Sequence, residues 1–126
     1  VSLEWGERKM AEKSEKAKKF QFWRTFGAAN IAVTASPQAI YRLVRMEVHL
    51  SAAPTTSENL TLTLNYKGTT AYNVVIYKRD LSVGSVTDIV ALFGEGYEFE
   101  EHDTIVLAYA NTDVGTIGVR LVTQLL

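Results

Sequence analysis

The sequence predicts an all-β chain: an antiparallel β-sandwich or jelly roll of 7–8 strands, preceded by an N-terminal α-helical arm. Three observations carry this expectation. Apolar and polar residues alternate with a period of two from residue 39 onward. Turn signals recur every eight to twelve residues over the same stretch. No segment after the arm has the length and the 3.6-residue periodicity of a βαβ crossover helix. The domain division that follows is 1–26 for a charged arm with an aromatic hinge and 27–126 for the sandwich.

The arm rests on residues 3–19. Ser2 is a plausible N-cap and Glu4 suits the positive end of a helix dipole. Glu4–Arg8, Glu12–Lys16 and Glu15–Lys19 are i,i+4 pairs in the favourable order, worth about 0.2–0.5 kcal/mol each. The apolar stripe is thin, being Leu3, Met10 and Ala17 with Phe20, so the helix needs a partner surface or remains solvated. Residues 20–26, Phe-Gln-Phe-Trp-Arg-Thr-Phe, then change character, and their four aromatics read as the hinge that pins the arm. Gly27 breaks the chain, and residues 28–38 read as a connector or a short first strand around Ile31 and Val33.

The sandwich is read strand by strand. Ile40, Val44, Met46, Val48 and Leu50 form an inner row, with Tyr41, Arg45, Glu47 and His49 outward and Arg42 interrupting the inner row. Residues 51–58 are a loop. Leu60, Leu62, Leu64 and Tyr66 alternate with Thr61, Thr63 and Asn65, the cleanest strand in the chain. Residues 71–79 are β-rich, with Tyr72, Val74 and Ile76 on one face and Val75 and Tyr77 on the other. A short strand is favoured over a helix for 85–93, because Val86, Ile89, Val90 and Phe93 sit between glycines. A turn at 94–96, a strand start at Tyr97 and Phe99, a strand over 104–110, a hairpin loop over 111–115 and a last strand over 116–125 complete the series.

Composition bounds the function. The chain has 126 residues, 47% of them hydrophobic, with a net charge of −1. That is one domain, large enough for a real core without staples. With no cysteine, disulfides and thiolate metal sites are excluded. Nowhere do 18 apolar residues run together, and the first residues are charged, so neither a membrane span nor a signal peptide is expected. Residues 1–24 carry +3 while the remainder carries −4, which suggests that the leading segment meets something else or a neighbouring copy.

The chemistry-bearing residues are few. His49 and His102 are the only histidines, and neither lies in a nucleophile-elbow signature, so no catalytic residues are assigned and no enzyme is expected. Glu95, Glu98, Glu100, Glu101 and Asp103 surround His102, but the spacing matches no calcium-loop pattern. No cofactor or metal is assigned. Lysines and aromatics in the arm have some character of a nucleic-acid binder, but four glutamates dilute the field, so nucleic acid is disfavoured. What remains is interaction surface, with Trp5, Met10, Phe20, Phe22, Trp23, Arg24 and Phe26 as the candidate partner-contacting set.

The runs Ser57-Glu58-Asn59-Leu60-Thr61-Leu62-Thr63-Leu64, Tyr77-Lys78-Arg79-Asp80-Leu81-Ser82, Val86-Thr87-Asp88 and Asp103-Thr104-Ile105-Val106-Leu107-Ala108-Tyr109-Ala110-Asn111-Thr112-Asp113 give residues 40–126 a texture that resembles small β-sandwich virion proteins of tailed bacteriophages, of the decoration, head-fibre or adaptor-like kind. The resemblance lies in strand-turn rhythm and implies a non-enzymatic structural role in the virion, a homo-oligomer, and capsid or other virion proteins as partners. The alternative reading is a carbohydrate-binding sandwich, with Tyr41, Tyr77 or Tyr97 as a stacking face and calcium at the acidic turn near Asp103.

Overall fold

A computed structural model describes residues 19–94 and 97–126. Among these residues nine strands form two antiparallel sheets. The first sheet contains β1 (Phe20–Gly27), β9 (Ile117–Leu125), β3 (Tyr41–Leu50) and β6 (Asp88–Leu92) in that order, with the short β7 (Glu98–Phe99) also pairing β3. The second contains β2 (Ile31–Ala35), β8 (Thr104–Tyr109), β4 (Asn59–Asn65) and β5 (Val74–Asp80). Of the connections between consecutive strands, only β4–β5 joins hydrogen-bonded neighbours. Residues 111–115, expected as a hairpin loop, instead carry the chain from β8 in one sheet to β9 in the other.

One core lies between the sheets. Leu43, Met46, Val48, Val119 and Leu121 project into it from the first sheet, and Leu60, Leu62, Ile105, Leu107 and Tyr109 from the second. The period-two pattern builds this core because alternate side chains of a strand share one face. β4 and β8 obey it without exception, leaving threonines, Val106 and Ala108 on the outside.

β3 obeys it with one slip. Its register against β9 shifts between Leu43 and Arg45, a β-bulge that places one extra residue in the strand. Past the bulge Met46, Val48 and Leu50 face inward as expected. Before it the faces exchange: Tyr41 and Leu43 are fully buried, whereas Ile40, expected inside, is exposed. Arg42 therefore does not interrupt the inner row; it points outward and donates to Gln124 Oε1. A second bulge lies where β5 meets β4 near Leu62 and Thr63, and Ile76 and Tyr77 are both half-buried there, not on opposite faces. Tyr72 belongs to a 3-10 turn, Thr70–Tyr72, that precedes β5.

Residues 20–26, expected as the hinge of an arm, are a full strand of the sandwich. β1 pairs with β9 over its entire length, from Phe20 opposite Gln124 to Gly27 opposite Ile117. The indole N–H of Trp23 donates to Thr123 Oγ1 at 3.0 Å, fastening the two strands from the inner side. The helix expected over 3–19 falls outside the described residues except for Lys19, as do Trp5 and Met10.

Candidate functional site

Alternation along β1 sorts the expected partner residues onto two faces. Gln21, Trp23 and Thr25 turn inward and are half-buried, while Phe20, Phe22, Arg24 and Phe26 all point away from the core. Phe22 is 57% exposed and Phe26 is 83% exposed, values unusual for phenylalanine in a folded domain. Trp23 is thus part of the scaffold, and the other four form one outward row.

The antiparallel register extends this row across the outer face of the first sheet. Phe26 leads to Gly118, His49 and Asp88; Arg24 leads to Arg120, Glu47 and Val90; Phe22 leads to Val122, Arg45 and Leu92. Val90 and Leu92 are exposed on β6. Between the Phe26 side and the β6 side lies an open trough of about 660 Å³, lined among others by Arg24, Phe26, Glu47, His49, Asp88 and Arg120. Gly118 leaves room at its floor: a Cβ there would meet only Phe26 Cβ, at an ordinary 3.9 Å.

Charges on this face are held in fixed positions. Glu47 accepts from Arg120 Nε at 2.8 Å and from Arg45 Nε at 2.7 Å. Those hydrogen bonds, Arg120's first, draw the Glu47 carboxyl below its ordinary range, and Glu47 in turn raises Arg120. The Arg120 guanidinium also sits 5.5 Å from the centre of the Phe22 ring, within reach of a cation–π contact. His49 Nδ1 and Asp88 Oδ1 are 2.6 Å apart, and this bond, followed by one from Thr87, lowers the Asp88 carboxyl. A general acid needs a raised pKa. Both carboxylates here move the other way, which does not suit either of them as a general acid.

The other expected sites are placed differently. Asp103 is buried, and its carboxylate accepts from the Glu100 amide at 3.1 Å, closing the turn that precedes β8. Among the described residues no three His, Cys, Asp or Glu side chains converge as a metal set, and Glu95 lies outside those residues. Tyr41, one member of the expected stacking face for sugars, is fully buried, with its hydroxyl donating to the Asp103 carbonyl at 2.9 Å. Tyr77 is half-buried and Tyr97 packs edge-on against Phe93. The three tyrosines do not make a common face. No helix of the described residues is long and apolar enough to cross a membrane.

Sequence reasoning missed the β6 and β9 contributions to the outer face, because Asp88-Ile89-Val90-Ala91-Leu92 is apolar on both sides and gives no alternation to read. It also missed the polar clasp at one end of the sandwich. There Asp113 accepts from Thr55 N and Oγ1 and from Thr56 N and Oγ1, while Glu58 accepts from Thr112 N and Oγ1. Asn111 sits beside it with left-handed backbone (φ 53°), its amide donating to the Ala29 and Gly115 carbonyls. The abundance of Thr, Ser and Asp in 51–58 and 111–115 is the only trace of this in the sequence. No family model matches the chain, and a comparison with curated proteins finds no match.

Proposed function

We propose that this chain is a non-enzymatic structural protein of a virion, of the decoration, head-fibre or adaptor-like kind, that assembles as a homo-oligomer through its β-sandwich and meets other virion proteins with the outer face of its first sheet. The observation that carries the reading is the row Phe20, Phe22 and Phe26 exposed on β1, continued across the sheet by Val90 and Leu92. Apolar side chains gathered on one face and rimmed by ordered charges have the composition of an interaction surface. The strand-turn texture of residues 40–126 supplies the virion half of the proposal. Residues 1–18, the docking segment of this reading, precede Lys19 and β1 in the sequence.

Light scattering on the full chain, followed by co-sedimentation with purified capsids of the phage that encodes it, tests the proposal. The expected result is an oligomer that pellets with capsids, and a Phe22→Ser/Phe26→Ser variant that keeps its β spectrum but pellets less. A strictly monomeric chain that stays in the supernatant would sink it.

A further inference from the structure

Deepening the homo-oligomer reading, on which it rests, we infer that β1 is a two-fold pairing edge: β1 of one copy adds antiparallel to β1 of a second copy, with Trp23 opposite Trp23, Phe22 opposite Arg24 and Phe20 opposite Phe26.

The backbone supplies the first argument. The Leu125 amide donates to the Lys19 carbonyl at 2.8 Å, which makes Lys19 and Leu125 a hydrogen-bonded pair. Hydrogen-bonded and non-hydrogen-bonded pairs alternate along an antiparallel ladder. The unbroken register of β1 on β9 therefore directs the N–H and C=O groups of Gln21, Trp23 and Thr25 toward β9. Those of Phe20, Phe22, Arg24 and Phe26 point to the opposite edge. The Leu126 amide, which donates to Ile40 on the β3 side, fixes the same parity independently. Among the described residues β1 pairs only with β9. Within Phe20–Gly27 its other edge carries no proline, no bulge and no lysine, and Arg24 is its one charged side chain.

The side chains supply the second argument, because they select one register. Centring the two-fold on Trp23 brings every outward-pointing backbone group of residues 20–26 into a hydrogen-bonded pair. On the outer face it sets Phe20 against Phe26 and Phe22 against Arg24, each twice by symmetry. Arg120 already approaches Phe22 from within the chain, so Arg24 of the second copy would complete a cationic bracket around that ring. Centring on Arg24 would oppose two like charges, and centring on Phe22 would leave Phe26 with no opposite residue in the strand. Shifts by an odd number of residues would pair inward with outward groups. The sequence Phe-Gln-Phe-Trp-Arg-Thr-Phe is thus complementary to itself in one arrangement, and a second copy of this chain is the occupant it fits.

The absence of native cysteine gives a clean test. In this register residues 21 and 25 of different copies are a non-hydrogen-bonded pair, with Cα atoms about 4.5 Å apart, within disulfide reach. Within one strand they are roughly 13 Å apart and cannot bridge. The full-length Gln21→Cys/Thr25→Cys variant is expected to form a covalent dimer of twice the 14.0 kDa chain on mild oxidation, and neither single variant should. Arg24→Pro, which removes an N–H pointing away from β9, is expected to halve the mass seen by light scattering with an unchanged far-ultraviolet spectrum. An oligomer that fails to crosslink, or that crosslinks equally through single cysteines, overturns this pairing and leaves the assembly reading standing. A monomer whose β1 edge amides resist hydrogen exchange overturns both, and assigns the edge to the chain's own leading segment.

Discussion

Two buried tyrosines in the same core are expected to respond in opposite directions to loss of the hydroxyl. Tyr41 is fully buried and its hydroxyl donates to the Asp103 carbonyl at 2.9 Å. Tyr109 is 1% exposed, and its hydroxyl meets no acceptor in good hydrogen-bond geometry among the described residues, although the Glu58 carboxylate lies close enough to act on it. Desolvation raises the pKa of both phenols; Asp103 adds to the effect at Tyr41, and Glu58, Asp113 and Asp80 add to it at Tyr109. Tyr41→Phe strands a buried carbonyl, at a cost of about 1–2 kcal/mol. For a domain of this size that is a fall of roughly 4–8 °C in Tm. Tyr109→Phe removes a buried hydroxyl that no acceptor meets in good geometry and that faces the Glu58 carboxylate, and a gain of about 1 kcal/mol, or roughly 4 °C, is expected. Thermal unfolding followed by circular dichroism, with urea midpoints as a second reading, measures both. If Tyr109→Phe loses as much stability as Tyr41→Phe, its hydroxyl is bonded and the assignment of the polar clasp around it is wrong.

Acid should loosen that clasp. Hydrogen bonds from Thr56, then Thr55, hold the Asp113 carboxyl at about 2, below its unfolded value, and Asp80 and Asp88 are lowered as well. A depressed folded pKa contributes stability that is complete above about pH 4 and is lost as pH falls toward 2. Urea midpoints should therefore drop over that window, and drop less in Asp113→Asn; equal slopes would contradict the assignment. Leu107→Ala, in the middle of β8 and fully buried, should cost roughly 2–5 kcal/mol and be visible as a lower urea midpoint. Glu47→Gln weakens two partly exposed ion pairs of about 0.2–1 kcal/mol each. Its stability deficit should shrink in 1 M salt, and a deficit independent of salt would point to packing.

The strands most legible in the sequence were those with one wet face. β4 reads correctly because Leu60, Leu62 and Leu64 alternate with Thr61, Thr63 and Asn65, so pattern and burial coincide. β1 was hidden because its outer positions are phenylalanine and its inner ones include glutamine and threonine, which inverts the usual assignment of apolar to inside. β3 was half legible: a bulge near Val44 reverses the faces, and no residue type announces it. The outer face could not be assembled from the sequence for the same reason. Glu47, Arg120 and Arg24 are adjacent only once register is known, and register depends on that bulge. Phe20, Phe22, Arg24 and Phe26 stand out in the sequence as candidates, but their common outward direction does not.

The pairing of the first described strand with the last has a consequence for biosynthesis. The Trp23–Thr123 bond closes a separation of 100 residues. At ribosomal speeds of about 5–20 residues per second, β1 waits roughly 5–20 s before β9 exists to receive it. Until then no flat edge with its phenylalanines on one side can be displayed, since alternation has meaning only on a formed sheet. The edge proposed to recruit a second copy is therefore completed only once β9 has been made, which would keep neighbouring nascent chains on a polysome from joining through it before that point.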